Sequence, residues 1–183
     1  LAGKLDIAAS MTAAKVIGGD FYDFFRLDEE RMGFVIADVS GKGIPAALFM
    51  AVSNTLLRSV ALASEDSAQC MTEVNNLLSR ASVNSMFVTV IYGILNHKTG
   101  EIDFTNAGHT PAYILQSDGQ VKEVEQYANF VAGGIEDFPY RANSTRLEPG
   151  EAIVLYTDGV TEAFNAAKEE FGEERLVSSL REL

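Results

Sequence analysis

Apolar runs that end in an aspartate and a tight turn restrict this chain more than any other feature of its sequence. Three segments carry or border the pattern: Gly18-Gly19-Asp20-Phe21-Tyr22-Asp23, Ala37-Asp38-Val39-Ser40-Gly41-Lys42-Gly43 and Tyr156-Thr157-Asp158-Gly159. Asp38 follows Phe34-Val35-Ile36-Ala37, and Asp158 follows Ala152-Ile153-Val154-Leu155-Tyr156 closely. Both runs read as buried strands. A carboxylate at the tip of a buried strand is held rigidly and points out of the sheet. Several such carboxylates together offer hard oxygen donors to a divalent cation. An Asp-Gly pair alone is more often a turn, and Gly18-Gly19 alone is flexible backbone. Ser117-Asp118-Gly119 is an internal control, because it lies between two short strand-like runs and reads as a plain hairpin turn. The three segments in this order and these strand contexts are what argue for chemistry.

The rest of the chain reads as one α+β domain. Residues 5–9 alternate weakly and are expected to form a strand, as are residues 32–37. A helix is expected over 44–63, with Pro45 in its first turn. Its apolar residues cover most of its circumference, so it should be buried. Met71, Val74, Leu77, Leu78 and Ala81 predict a second helix over 67–81. Residues 87–95 and 101–106 form a hairpin pattern around Asn96-His97-Lys98-Thr99-Gly100, which makes His97 a loop residue. Strands follow at 112–116, 121–125, 142–147 and 152–157, then a helix over 170–183. Sequential strands joined by short turns pair antiparallel, and two consecutive helices must cover a sheet face.

Charge and composition exclude several classes. With 14 basic and 26 acidic residues the net charge is −12, which opposes nucleic-acid binding. It does not oppose phosphate chemistry, because bound cations can supply the local positive charge. Cys70 is the single cysteine and cannot form an internal disulfide, which suits a reducing compartment and a cytoplasmic location. No apolar run approaches the ~20 residues that cross a bilayer. The best stretch, 44–63, is interrupted by Asn54, Thr55, Arg58 and Ser59, so no membrane contact is expected from this domain.

The motifs resemble those of the bacterial metal-dependent (PPM-type) serine/threonine phosphatases, in the branch of stage II sporulation protein E and RsbU. The resemblance runs from about Asp6 to the end of the chain. It rests on Gly-Gly-Asp-Phe-Tyr-Asp-Phe-Phe at 18–25, Ala-Asp-Val-Ser-Gly-Lys-Gly at 37–43 with Pro45-Ala46-Ala47, Met86-Phe87-Val88-Thr89, Asn106-Ala107-Gly108-His109, and Leu155 through Glu162. It implies a layered α-β-β-α sandwich of two mainly antiparallel sheets flanked by helices, with the metal site at one end. It implies two divalent cations, Mn²⁺ or Mg²⁺, with Asp38 as the bridging ligand and the Val39 carbonyl on one metal. Asp158 would hold the other, and Asp20 would be a further ligand.

Asp23, Ser40, Gly41, Asn106, His109 and Glu162 are weaker candidates for supporting or substrate-facing roles. Ser40 stands where eukaryotic relatives carry a histidine linked to proton donation. Gly41 and Gly43 would let the backbone turn closely past the metals, and Thr161 and Glu162 would bond the turn at Asp158. Lys42 reads as a solvated lysine. The family also has a last aspartate in an Asp-Asp-x-Thr segment, which residues 1–183 do not contain. The expectation is therefore a single phosphatase domain from a longer protein, without its last strand and any N-terminal regulatory module.

The implied substrate is a phosphoserine or phosphothreonine protein, in particular a STAS-type anti-sigma-factor antagonist in a partner-switching pathway. The competing reading is a phosphatase-like module that binds a partner without catalysis. A diguanylate cyclase signature needs an acidic residue where Phe21 stands. A P-loop needs other glycine spacing and a Ser or Thr after the lysine. If strand context separates ligand from turn residue, Asp118→Asn leaves Mn²⁺ affinity and phosphatase turnover unchanged, whereas Asp158→Asn lowers both. Isothermal titration and steady-state assays of the two variants check this.

Overall fold

The computed structural model describes residues 5–12, 18–81 and 85–182. The chain divides into two compact units that alternate along the sequence. The first holds Leu1–His109 and Gln126–Arg146, and the second holds Thr110–Glu125 and Leu147–Leu183.

The first unit is built on a five-stranded antiparallel sheet. Its strands are β1 (Phe21–Arg26), β2 (Arg31–Val39), β3 (Val88–Asn96), β4 (Glu101–Ala107) and β7 (Asn143–Arg146), in the order β1-β2-β3-β4-β7. β2 alternates strictly, burying Gly33, Val35, Ala37 and Val39, as a strand with one face on a core must. Helices α1 (Ile44–Ala61) and α2 (Ser67–Ala81) pack on each other and on this sheet. Phe49, Leu57, Met71, Val74 and Leu78 join Val35, Val39, Val90 and Tyr92 in one buried cluster. Cys70 lies fully inside it, and burial pushes its thiol up to about 12.

The second unit carries a three-stranded antiparallel sheet, β6-β5-β8, from β5 (Tyr113–Leu115), β6 (Val121–Glu123) and β8 (Ala152–Val154). Two helices complete it, α3 (Asp158–Thr161) and α4 (Gly172–Leu180). Tyr113, Tyr156, Leu176 and Leu180 form its own small core. The expected pair of antiparallel sheets with helices is therefore present.

Three expectations need correction, beginning with the run before Asp158, which is not a buried strand to 157: β8 ends at Val154 and its residues are partly exposed. Residues 5–9 carry no strand, and Leu5 and Ile7 are exposed; their alternation finds no neighbouring strand to pair with. β1 was instead hidden inside the Gly-Gly-Asp motif, where Asp23 breaks the apolar pattern of Phe21 and Phe25. α1 is only partly buried. Its small residues Ala46, Ser53 and Ala61 face inward with Phe49 and Leu57, while Ile44, Leu48 and Val52 lie on the exposed side. By length and mean hydropathy of 1.4, α1 is nonetheless apolar enough to cross a membrane. A third of it is buried against its own unit, and Arg58 on its outer side pairs with Asp23.

Two strand glycines are covered by aromatic rings. Gly33 lies opposite Phe25, and Gly93 lies opposite Phe34. A Cβ on Gly93 would come within 2.2 Å of Phe34 Cζ and one on Gly33 within 2.9 Å of Phe25 Cε2. Gly93→Ala therefore forces the Phe34 ring off the strand. It should lower stability by about 1–3 kcal/mol, read from the denaturant midpoint at unchanged m-value.

Candidate active site

The end of β2 is set by its pairing with β3, which places Asp38 opposite Thr89 and Val39 opposite Val88. Val88 exchanges both backbone hydrogen bonds with Ala132, at 2.9 and 2.8 Å. Its peptide groups thus point away from β2, and the Val39 carbonyl faces the β1 side. Extending the Phe21↔Ala37 register by two residues brings Gly19 opposite Val39. The contact is close: a Cβ on Gly19 would lie 2.9 Å from the Val39 carbonyl oxygen and 3.5 Å from Asp38 Oδ1. Gly19 is needed there because a carbonyl and a carboxylate converge on its Cα. Two of the three motifs are therefore brought together, with Asp20 half-buried beside them.

Ser40 continues the ladder by one residue. Its N–H donates to the Phe87 carbonyl at 2.9 Å, and its Oγ accepts the Phe87 N–H at 2.9 Å. The hydroxyl thus does the work of a backbone carbonyl. Gly41 and Gly43 adopt φ of 97° and 81°, yet an added Cβ would meet nothing within 4 Å at either. They serve the dihedral angles of the turn into α1; the close backbone approach to Val39 and Asp38 is at Gly19.

Asn106 and His109 are buried at the end of β4. Asn106 Oδ1 accepts the His109 N–H at 2.7 Å, and its Nδ2 donates to the His109 carbonyl at 3.0 Å and to Gln126 Oε1 at 2.9 Å. Asn106 thereby clamps the turn through Gly108. His109 Nδ1 lies 2.9 Å from Thr89 Oγ1, whose other neighbour is the Asp38 carbonyl at 3.4 Å. Asp23 accepts Arg58 Nη1 at 2.8 Å and the Phe24 N–H at 2.8 Å, which ties β1 to α1. Thr89 ends the Met86-Phe87-Val88-Thr89 motif, and the register opposite Asp38 shows what it touches.

Asp158 and Glu162 belong to the second unit. Asp158 is exposed and opens α3. Its carbonyl accepts the Glu162 N–H at 2.8 Å and the Thr161 hydroxyl at 3.2 Å, so the expected bonds around this turn are made. The preceding Tyr156 is anchored. Its ring stacks on Tyr113 with centroids 6.1 Å apart, and its carbonyl accepts the Thr110 hydroxyl. Burial raises the Tyr156 phenol above its ordinary range. Asp118 accepts from both the backbone and the side chain of Gln120, as a turn residue does.

Among the described residues, no three His, Cys, Asp or Glu side chains form a group that could hold a metal. The donors that converge at Gly19, a carboxylate and a backbone carbonyl, are all oxygen. That chemistry fits Mg²⁺ or Mn²⁺ and not a thiolate- or imidazole-bound ion.

The stage II sporulation protein E (SpoIIE) family profile matches residues 28–183. The chain belongs to that family of PP2C-type phosphatase domains. It is 36% identical to phosphoserine phosphatase RsbU of Bacillus subtilis over 86% of this chain and 47% of that protein. It is 31% identical to protein IcfG of Synechocystis sp. over 95% of this chain and 32% of that one. Among solved structures, the SiaA-PP2C domain of Pseudomonas aeruginosa aligns with a TM-score of 0.76 at 25% identity, over 91% of this chain and 66% of that one. The RsbU and RsbW domains of Rv1364c from Mycobacterium tuberculosis align with a TM-score of 0.74 at 27% identity, over 84% and 43%. The chain spans about a third to a half of the length of these two curated relatives.

The close approach at Gly19 is testable without an assay of turnover. Gly19→Ala pushes the Gly18-Gly19-Asp20 loop off the Val39 carbonyl. Calorimetric titration should show Mn²⁺ affinity reduced about 10- to 100-fold, with the circular dichroism spectrum unchanged.

Proposed function

We propose that this chain is the catalytic part of a cytoplasmic, metal-dependent protein phosphatase that hydrolyses phosphoserine or phosphothreonine on a protein partner. The observation that carries the reading is the convergence of Gly19, the Val39 carbonyl and the Asp38 carboxylate, in a member of the SpoIIE family. The partner class proposed is a phosphorylated STAS-type anti-sigma-factor antagonist in a partner-switching pathway. Its support is the motif resemblance and the likeness to a phosphoserine phosphatase.

Within this reading, Asp38, Asp20, Asp158 and the Val39 carbonyl hold two divalent ions, Mn²⁺ or Mg²⁺. Such ions, when bound, neutralise phosphoryl charge and make water acidic enough to attack at neutral pH. The chain's own contribution is placement. The β2–β3 ladder fixes the Asp38 backbone, and Ser40 locks the strand end to Phe87. Gly19 admits the loop that brings Asp20 alongside. Asp158 is carried on a turn closed by Thr161 and Glu162 and anchored through Tyr156. With a net charge of −12 the protein itself repels phosphate, so the carboxylates serve by holding cations that reverse the local field.

Asp38→Asn keeps the side-chain shape and removes the charge. Mn²⁺-dependent hydrolysis of p-nitrophenyl phosphate should fall by more than the about 10- to 100-fold typical of outer-shell substitutions, with the fold retained. Retained turnover would refute the assignment. A wild-type chain that binds Mn²⁺ and a phosphoprotein without turnover would favour the non-catalytic module.

A further inference from the structure

Thr89 sits between two groups the motifs single out. Its Oγ1 is 2.9 Å from His109 Nδ1 and 3.4 Å from the Asp38 carbonyl oxygen. A threonine hydroxyl has one proton to give, and a backbone carbonyl can only accept. Both contacts can be hydrogen bonds together in one arrangement only: Thr89 donates across the longer gap to the Asp38 carbonyl, and His109 Nδ1–H donates to Thr89 Oγ1. The surroundings hold this geometry. His109 is buried, its backbone is clamped by Asn106 on both sides, and Thr89 is locked opposite Asp38 in the ladder.

We infer that Thr89 is a positioning residue, whose hydroxyl fixes His109 as the Nδ1–H tautomer and ties that ring to the backbone of Asp38. The kinetic consequence rests on the phosphatase reading; the tautomer does not. In the neutral ring the Nε2 atom then carries the lone pair and is an acceptor. A neutral His109 therefore cannot donate to a substrate phosphate through Nε2. Its contribution is to hold the loop after β4 in register with the strand end that bears Asp38 and Val39. A partner of this kind, one bond removed from a ligand, orients that ligand.

The test is two-bond ¹H–¹⁵N imidazole spectroscopy of the metal-free chain at about pH 8, where an ordinary histidine is neutral. The chain has two histidines, and His97→Gln assigns them. The wild type should show His109 protonated on Nδ1. Thr89→Val, which keeps the shape and removes the hydroxyl, should shift His109 toward Nε2–H. Thr89→Ser should restore the wild-type spectrum. In Mn²⁺-dependent hydrolysis of p-nitrophenyl phosphate, Thr89→Val should lower kcat about 10- to 100-fold at unchanged KM, and Thr89→Ser should recover it. An Nε2–H tautomer in the wild type, or the same tautomer in Thr89→Val, overturns the inference. So does a Thr89→Val enzyme with wild-type kcat. A wild type without Mn²⁺-dependent turnover sinks the phosphatase reading alone, and the spectra then decide the role of Thr89. Thermal unfolding of both variants keeps a folding defect apart from a lost contact.

Discussion

The pairing of β2 with β3 is the constraint on which the rest of the first unit depends. It runs from Arg31↔Asn96 to Val39↔Val88 without a break. A one-residue slip would turn every buried side chain of β2 outward. It would also move Asp38 from Thr89 and separate Ser40 from Phe87. The Phe34 cover on Gly93 acts against such a slip, because the ring fits only where the opposing residue has no Cβ, and the Phe25 cover on Gly33 does the same for the β1–β2 pairing. Core packing and site geometry are thus specified by the same register.

Much of this was legible in the sequence, for identifiable reasons. The α2 boundaries follow from a clean helical period, and the β3–β4 hairpin from two apolar runs around a Gly-containing loop. Asp118 reads as a turn residue, and its hydrogen bonds to Gln120 agree; the buried strand expected to run up to Asp158 is absent, because β8 ends at Val154 and Asp158 opens α3. What escaped was tertiary. β1 gives no clean strand pattern because Asp23 interrupts it; that carboxylate is accommodated by Arg58 of α1, far away in sequence. The partial exposure of α1 has no sequence signal, because its small inward residues and large outward ones give nearly the same apolar count on both sides. Gly19, in a flexible-looking pair, is where backbone meets carboxylate, and no local pattern signals it. Thr89 is in a motif, but its place beside Asp38 and His109 emerges only from the register.

The site also shows how polar groups with no direct chemistry earn their burial. Asn106 satisfies a turn that would otherwise bury bare peptide groups. Asn75 does the same deeper in the unit, accepting the Gly133 N–H and donating to the Ile135 carbonyl from a fully buried position. Each replaces a missing stretch of ladder. They hold the irregular segments that flank the sheet as firmly as the strands hold each other.

The two units interleave along the sequence, and this has a consequence for synthesis. The first unit is interrupted by residues 110–125, and its last strand, β7, follows only afterwards. β5 and β6 leave the ribosome before the first sheet has received its edge strand, yet β5 lacks its other partner until β8 is made. Domains generally fold as units during translation, but here neither unit is a contiguous piece that can close first and be left behind. Through that interval the nascent chain carries a two-stranded hairpin, marginal on its own, and an unpaired β4 edge. The vulnerable moment of this protein's life is therefore the passage between residues 110 and 146, when two incomplete sheets are exposed at once.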